Sequence, residues 1–218
     1  MRSASMPAVQ PSAGKRAGRD PDATRRALVD AALELFDKDG FHATSVQKIV
    51  DTAKLTKGAF YYHFESKEDV LREIHDQFMD FQLRRLREVL AEGGAPERVL
   101  RRVMTEVLVE PIGRYRSEIS IFQQERRFLS STTFAAIERK RDEFEALVTQ
   151  VVERGIASGA FKPVATARVL AFAVIGVAAW AHTWLDPRGE MTPRQIGDAF
   201  GEIVVAGLRT GSLAESRA

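Results

Sequence analysis

The chain has 218 residues, 44% of them hydrophobic and 28% charged, and its formal net charge at pH 7 is +2. This composition is ordinary for a globular protein and leaves enough apolar side chains for a substantial core. Cysteine is absent, which excludes disulfide bonds, thiolate catalysis and cysteine-ligated zinc and is compatible with a cytoplasmic protein.

Residues 1–22 form the first distinct segment of the sequence. They are rich in Ser, Ala, Gly and Pro, and four basic residues precede Asp20, the first acidic one. Since no periodic apolar face runs through them, we predict a disordered basic arm. The arm has no apolar stretch of the signal-peptide kind, so we expect no secretion signal.

Helical periodicity begins at about Ala23. In the first helix, apolar residues recur one and two turns apart at Leu28, Ala32, Leu35 and Phe36. Gly40 is predicted to end this helix. Thr44 fits the N-cap of a second, short helix over Ser45–Ala53.

A third helix, also short, is predicted over Thr56–His63 after a two-residue break. Ser66 followed by Asp69 resembles a capping box, with aspartate in place of the usual glutamate or glutamine. This box would open a long fourth helix that ends near Leu90.

The remainder of the chain is predicted to be helical as well. Pro96 suits the first turn of one helix, and Thr192–Pro193 suits the start of the last. The apolar run Val169–Ala181 is 13 residues long, which is too short to cross a bilayer, so we expect a buried helix and no membrane partner. The five predicted helices cover about 96–109, 117–130, 134–158, 166–185 and 193–209.

The second and third predicted helices have the spacing of a helix-turn-helix. Their apolar residues can pack against the first helix and hold the third at a fixed angle, which leaves its outer side free to enter a DNA major groove. Phe60 and Phe64 are four residues apart and share one face, so we predict that both belong to this core.

The segment Thr24–Ile74 resembles the DNA-binding domain of the TetR family of transcriptional regulators. The resemblance rests on "AALELF" in the first helix, "ATSVQKIV" around the second, and above all "TKGAFYYHFESKEDVL" over the third and the start of the fourth. It covers about a quarter of the chain, and the total length and the all-helical remainder are similar to the family's.

The resemblance and the helical pattern together predict an all-α fold of about nine helices. We expect a disordered basic arm (1–22), a three-helix helix-turn-helix DNA-binding domain (23–68), a helical effector-binding and dimerisation domain (69–211) and a tail (212–218). The partners implied are double-stranded operator DNA, a second copy of the chain and a small-molecule effector.

The resemblance also implies a DNA-binding face on the second and third helices. Phosphate contacts are expected to dominate affinity, and contacts to base edges to supply specificity. Lys57 suits a guanine edge, and Gly58 permits a close approach of the backbone. For His63 there are two alternatives, a contact with a phosphate and a role in capping the helix end. The predicted DNA-binding residues are Thr44, Gln47, Lys54, Thr56, Lys57, Gly58, Tyr61, Tyr62, His63 and Lys67.

Lys54 departs from the family pattern, in which this turn usually carries glycine. A lysine must adopt a left-handed backbone there, at a cost of about 1 kcal/mol or more, or use a different turn. Its side chain either reaches a phosphate or is a solvated turn lysine. The basic arm also has two alternatives: it lies along the DNA, or it is an unstructured tail without a role.

The last two predicted helices each carry an apolar face. Together these faces have more apolar surface than packing within one helical layer would bury. They look like the helices that form the family's four-helix dimer bundle. By the same resemblance, the effector pocket is expected among the helices between about residues 96 and 185.

The stretch "ISIFQQERRFL" (Ile119–Leu129) and the following "AAIERKRDEFEALV" resemble the family branch tied to fatty-acid and sterol catabolism, whose effectors are acyl-CoA thioesters. That resemblance implies aromatic residues around the acyl group and arginines on the CoA phosphates. Each arginine taken singly is better explained by a solvated charged face. The predicted ligand-binding residues are Phe122, Arg126, Phe128, Arg139, Arg141, Phe144, Trp180 and Trp184.

Other functions fit the sequence less well. The motifs G-x-G-x-x-G, G-x-x-x-x-G-K-[ST], G-x-S-x-G and H-E-x-x-H do not occur, so we predict no enzyme, no catalytic residue and no cofactor. Metal binding by His42, His63 and His75 is not expected, because none has a second ligand at a metal-site spacing. A helical protein-interaction module and a transcriptional activator on the same fold are the alternatives.

Overall fold

The computed structural model describes residues 20–125 and 131–210, and all regular secondary structure in these two ranges is helical. The prediction of an all-α fold of about nine helices is confirmed. The helices are α1 (Pro21–Asp39), α2 (Val46–Thr52), α3 (Lys57–His63), α4 (Lys67–Glu92), α5 (Pro96–Arg102) with a π-helical continuation (Val103–Val109), α6 (Ile112–Glu125), α7 (Ser131–Ala157), α8 (Ala167–Ala179), the single turn α9 (Ala181–Trp184) and α10 (Pro193–Thr210).

Two of the predicted helix ends are confirmed by their capping geometry. Helix α1 ends at Asp39, and Gly40 follows with φ +84°, a backbone conformation that favours glycine. At the start of α4, the Asp69 backbone N–H donates to Ser66 Oγ at 3.3 Å, and the Ser66 N–H donates to Asp69 Oδ2 at 3.0 Å. Aspartate therefore completes the capping box as predicted.

The N-cap predicted for α2 is wrong by one residue. Ser45 is the N-cap, and its Oγ accepts the Lys48 backbone N–H at 3.2 Å. Thr44 is only 1% exposed, and its hydroxyl donates to the carbonyls of Gly40, at 2.9 Å, and Leu35, at 3.3 Å. Its hydroxyl is thus engaged by the end of α1 and is not available to cap α2.

The helix predicted over 166–185 is interrupted at Trp180, whose φ of −95° and ψ of −6° separate α8 from α9. Both the backbone N–H and the hydroxyl of Thr183 donate to the Trp180 carbonyl, at 3.1 and 2.8 Å. This local bonding competes with the regular helical ladder. Helix α6 also differs from prediction, because it begins at Ile112 and is kinked at Tyr115.

The buried apolar side chains form two clusters. The N-terminal cluster joins α1, α2, α3 and the first turns of α4, and the C-terminal cluster joins the rest of α4 to the later helices. Val70 and Ile74 of α4 belong to the first, and Leu83 and Leu86 belong to the second. Helix α4 is thus shared, and α6 also reaches the N-terminal cluster through Ile121. The domain boundaries drawn from the sequence stay a prediction.

Helix α10 packs closely on α5 and its π-helical continuation through two glycines. A Cβ atom at Gly197 would lie 2.8 Å from Thr105 Cα, and one at Gly201 would lie 3.2 Å from Arg101 Cα. The Thr105 hydroxyl donates to Asp198 at 2.8 Å across the same contact. A larger residue at Gly197 would push the helices apart, so this glycine fixes their separation.

By length and composition alone, Ala167–Trp184 could cross a membrane, a property that core helices of globular proteins share. Here the segment is interrupted at Trp180 and includes Arg168 and His182. Its inner face is buried in the C-terminal cluster. We therefore interpret it as a core helix.

Candidate nucleic-acid interface and ligand cavity

The turn between α2 and α3 holds the two helices at a fixed angle. The Leu55 N–H donates to the Val50 carbonyl at 2.8 Å, and the Lys54 N–H donates to the Asp51 carbonyl at 3.2 Å. These bonds form a Schellman motif, in which the residue after the C-cap is left-handed. Lys54 occupies that position with φ +54°, so the turn keeps the geometry that glycine usually provides.

Helix α3 has one buried side and one exposed side. Thr56 is its N-cap, and the Thr56 Oγ1 accepts the Ala59 N–H at 3.1 Å. Phe60 is 0% exposed and Phe64 4%, so the prediction that both belong to the core is confirmed. Their burial anchors the helix and fixes which residues point outward.

The outward side of α3 is polar and cationic. Tyr61 is 57% exposed and Tyr62 77%, and Lys57 and Gly58 are exposed one turn earlier. A Cβ atom at Gly58 would meet only the Thr56 hydroxyl, at 3.7 Å, so internal packing does not require glycine there. We call the exposed predicted DNA-binding residues the recognition surface: Gln47, Lys54, Thr56, Lys57, Gly58, Tyr61 and Tyr62.

This arrangement has the chemistry that DNA binding needs. A lysine and two phenolic hydroxyls can donate to phosphate oxygens or base edges, and nearby glycine leaves the helix backbone accessible. Gln47 is exposed on α2, where its Nε2 donates to Asp51 Oδ1 at 2.8 Å. That bond orients the amide at the edge of the surface.

Three predicted DNA-binding residues are already engaged within the protein. The buried Thr44 hydroxyl faces inward, so a direct side-chain contact with DNA is not supported. The Lys67 ammonium donates to the carbonyls of Phe41, at 2.9 Å, and Thr44, at 3.1 Å. His63 is half-buried at the end of α3, with its ring 4.9 Å from that of Tyr62. Lys67 therefore has structural contacts that the sequence does not predict, whereas a role at the helix end was one of the two alternatives for His63.

A cavity of about 350 Å³ lies between α4, α7 and α8, with α6, α9 and the π-helical segment completing its wall. This volume is in the range of small-molecule sites. Much of the lining is apolar and comes from five different elements; it includes Phe78, Met79, Leu108, Ile119, Phe144 and Ile175. The cavity can therefore bury a hydrophobic group.

One side of the cavity is charged, because α7 presents one basic and three acidic side chains, Glu138, Arg141, Asp142 and Glu145. Lys140, beside them, is bound to Asp76 at 2.9 Å and Asp80 at 2.8 Å on α4. These ion pairs join α4 to α7 next to the cavity. Among the described lining residues, Arg141 is the one permanent cation.

Three polar residues face the cavity from its inner wall. His75 is 4% exposed, and burial lowers its pKa to about 3, with Arg141 and Lys140 acting in the same direction. Gln82 donates through Nε2 to the Val107 carbonyl at 3.1 Å. His182 lies 2.9 Å through Nδ1 from the Ala179 carbonyl. A neutral imidazole and a fixed amide thus provide hydrogen-bonding groups beside the apolar lining.

The structure brings two of the predicted ligand-binding residues to the cavity, Phe144 and Arg141. It does not bring Arg139, Trp180 or Trp184 there. Arg139 is exposed on α7, Trp180 is 70% exposed, and Trp184 is 52% exposed. Both tryptophans lie on the outer surface, and the ring of Trp184 is 6.1 Å from that of Phe200 on α10.

Three further predicted ligand-binding residues fall at the gap in the described chain. Arg126 and Phe128 lie outside the described residues. Phe122 is on α6, and its side chain is outside the described set. Sequence reasoning missed His75 and Gln82 as cavity residues, although both interrupt the apolar face of α4 and are seven residues apart. Polar residues at core positions of one helix face were the available signal.

A second exposed surface, formed by α8 and α10, is apolar. We call it the α8–α10 surface; its exposed residues are Val169, Ala173, Gly176, Val177 and Trp180 on one side and Ile203 and Gly207 on the other. Cβ atoms at Gly176 and Gly207 would meet nothing within 4 Å, so both glycines leave open space. Single exposed apolar residues are normal on a protein surface, but several on two helices that contact each other mark a candidate binding surface.

In the part of the chain that the structure describes, no group of three or more His, Asp or Glu side chains is placed to hold a metal ion. The described residues form three candidate binding sites: the aromatic and basic recognition surface, the mainly apolar cavity and the apolar α8–α10 surface.

Two parts of the chain match known protein families. Residues 28–74 match "Bacterial regulatory proteins, tetR family", and residues 92–208 match "Tetracyclin repressor-like, C-terminal domain". The second match covers more than half of the chain.

Individual proteins are similar over most of their length. The chain is 32% identical over 186 residues to the HTH-type transcriptional repressor KstR2 of Rhodococcus jostii, covering 84% of this chain and 90% of that protein. The structure of the ketosteroid transcriptional regulator KstR2 of Mycobacterium tuberculosis has a TM-score of 0.75 and 27% identity, with 84% of this chain and 94% of that one covered.

A second similar structure contains both a small-molecule ligand and DNA. It is AibR in complex with isovaleryl coenzyme A and operator DNA, with a TM-score of 0.73 and 25% identity. The likeness covers 83% of this chain and 97% of that one.

Proposed function

The chain belongs to the TetR family of transcriptional regulators, and we propose that it is a homodimeric repressor that a hydrophobic effector releases from a palindromic operator. It is a ligand-responsive DNA-binding regulator and not an enzyme. A protein of this kind is expected to act in the cytoplasm. An activator on the same fold is the alternative.

The observation that carries the proposal is the two-sided helix α3. Phe60 and Phe64 are buried, and Lys57, Tyr61 and Tyr62 are exposed on the opposite side. A helix fixed in this way can present the same residues to a major groove each time, which specific recognition requires. Of the predicted contacts, we retain those on the recognition surface and propose the Thr44 and Lys67 side chains as supports for it.

A second copy of the chain is the proposed partner of the α8–α10 surface. Exposed Val, Trp and Ile side chains gain by leaving water, and Gly176 and Gly207 permit close approach of another helix. A two-fold axis through this surface would place two α3 helices on two half-sites of one operator.

We propose acyl-CoA thioesters as the effector class. The apolar lining suits an acyl group, and Arg141 at the charged side suits a phosphate or a thioester oxygen. The structure with isovaleryl coenzyme A among the similar proteins supports this class, and the ketosteroid regulator supports a hydrophobic effector. The three carboxylates beside Arg141 favour a second class, cationic amphiphiles, because they would attract a positive headgroup.

Release of DNA would follow from the position of α4 and α6. Helix α4 lines the cavity through His75 and Phe78, and its first turns belong to the N-terminal cluster, which also holds α3. Helix α6 lines the cavity through Ile119 and packs into the N-terminal cluster through Ile121. An effector that binds better to a shifted arrangement of these helices would favour dimers whose recognition helices no longer match the operator.

DNA binding is tested by gel shift with the promoter region beside the chain's own gene. We expect a sequence-specific complex that weakens as salt increases, since phosphate contacts release counterions. Absence of any salt-sensitive, specific complex at neighbouring promoters would refute the repressor and leave the interaction module.

The effector class is tested by thermal shift with isovaleryl-CoA, longer acyl-CoAs, free CoA, the free acids and a cationic amphiphile. Acyl-CoAs should raise the melting temperature and lower operator affinity without dissociating the dimer. Arg141→Gln should weaken this response, whereas Arg139→Gln, a matched change outside the lining, should not. Stabilisation by the cationic amphiphile alone would refute the acyl-CoA class.

A further inference from the structure

Arg25 of α1 contacts both α4 and the end of α3. Its Nη2 donates to Glu73 Oε2 of α4 at 2.7 Å, and its Nε lies 3.4 Å from Glu73 Oε1. Its Nη1 donates to the carbonyl of His63, the last residue of α3, at 3.4 Å. The guanidinium carbon lies 4.6 Å from the centre of the Phe64 ring. One side chain thus joins three helices at the junction that holds the recognition helix.

Arginine is suited to this position for physical reasons. The carbonyls at the end of a helix lack partners within it and carry partial negative charge, so a cation is favoured there. A planar guanidinium can donate along its edge to Glu73 and His63 while its face lies on Phe64. Lysine has the charge but not the planar set of donors. The contact depends on shape as well as charge.

Glu73 connects this junction to the helix that lines the cavity. It lies two residues before His75, a cavity residue, on the same continuous helix α4. Partial burial would raise the pKa of Glu73, but hydrogen bonds from Arg25 and Gln77 outweigh this effect and hold the pKa below its ordinary value. The carboxylate therefore stays charged and paired at neutral pH.

We infer that Arg25 is a positioning residue for operator binding, which fixes the C-terminal end of α3 on α4 without contacting DNA itself. The inference rests on the proposed function for its DNA readout. The Arg25 contacts lie on the side of α3 that faces α1 and α4, and not on Lys57, Tyr61 or Tyr62. They also make α3 follow α4, so they transmit a shift of α4 to the recognition surface.

The first test compares Arg25→Met and Arg25→Lys with Arg26→Met, a change of the exposed neighbour on α1. Operator affinity should fall about tenfold in R25M and by less in R25K, because charged hydrogen bonds that orient α3 are lost. The slope of log affinity against log salt should not change. A slope reduced by about 0.9, the value for one lost phosphate contact, would overturn the inference. An affinity equal to that of R26M would overturn it too.

The second test needs neither DNA nor effector. The chain has no cysteine, so Lys57→Cys can carry a single trifluoromethyl label on α3. Its ¹⁹F resonance should broaden or split in the R25M background and stay unchanged in the R26M background. An unchanged resonance in R25M would overturn the inference. If no operator were bound at all, the proposed function would fail, whereas this measurement would still report on Arg25.

Discussion

The recognition surface and the α8–α10 surface are both exposed and both contain aromatic residues, yet their chemistry is opposite. Tyr62 is 77% exposed, and the same short helix exposes Tyr61 and Lys57, so this surface carries hydroxyl and ammonium donors as well as aromatic rings. Trp180 is 70% exposed, and the other exposed residues of the α8–α10 surface include Val177 and, on α10, Ile203. The first surface keeps polar groups in water, whereas the second leaves apolar area uncovered.

This difference indicates what each surface binds. A polyanion is attracted by donors and cations and does not require the surface to be apolar. An uncovered apolar face gains most from another apolar face, and a second copy provides an identical one. Exposure of an aromatic residue is therefore informative only together with the residues around it.

The largest expected effect comes from placing a charge on the α8–α10 surface. Ile203→Glu would bury a carboxylate in the proposed dimer interface, and we expect a monomer by sedimentation. Operator affinity should then fall by about two to four orders of magnitude, because the two half-sites are no longer bound together. Ile203→Leu is the matched control and should remain dimeric. A dimeric I203E protein with normal operator affinity would show that this surface is not the interface.

The recognition surface should respond to loss of one donor in a different way. Lys57→Met should lower operator affinity by about 1–3 kcal/mol, the range for a lysine that contacts a base edge, with the dimer intact. Gel shifts with operator variants should show relaxed preference at one base pair. Lys162→Met, the same change at an exposed residue between α7 and α8, serves as the control. Equal affinities of the two variants would remove Lys57 from the contact set.

The same contrast explains how much the sequence could predict. The recognition surface lies within one short segment, so helix spacing, the spacing of Phe60 and Phe64 and the resemblance to the family's DNA-binding domain are enough to predict it. The N-cap prediction for Thr44 is wrong because a threonine hydroxyl suits either an N-cap or a bond to the end of the preceding helix. Those two outcomes differ only in tertiary packing.

The cavity could not be located in the same way. Its lining comes from helices distant in sequence, and Phe144 differs from other core aromatics only by what packs against it. The prediction of Trp180 and Trp184 in the pocket rests on the resemblance to the acyl-CoA-responsive branch of the family, whereas both side chains lie on the outer surface. The π-helical segment at Val103–Val109 likewise has no local signal, since its packing against α10 depends on Gly197. Long-range packing decides these features.

A pH measurement extends the comparison from the two surfaces to the interior. His75 has a folded-state pKa of about 3, so between pH 6.5 and 3 the unfolded chain binds a proton that the folded protein does not. Stability should therefore fall as the pH decreases, by up to about 2 kcal/mol from this residue between pH 8 and 5. His75→Gln removes the titrating group. In urea unfolding, the free energy of unfolding of wild type minus that of H75Q should decrease by that amount between pH 8 and 5. A constant difference would show that the folded-state pKa of His75 is close to its ordinary value.

The smallest expected effect concerns the turn beside the recognition surface. Lys54 has φ +54°, and a left-handed backbone costs a residue with a Cβ atom about 1 kcal/mol relative to glycine. Lys54→Gly and Lys54→Ala both remove the ammonium group, so their difference isolates the backbone. K54G should be more stable than K54A by about 1 kcal/mol in urea unfolding, with equal operator affinities. Weaker operator binding by both variants than by wild type would assign the ammonium to a phosphate contact, and unchanged binding would make Lys54 a solvated turn residue. If K54A were as stable as K54G, the Schellman geometry of this turn would not be the conformation in solution.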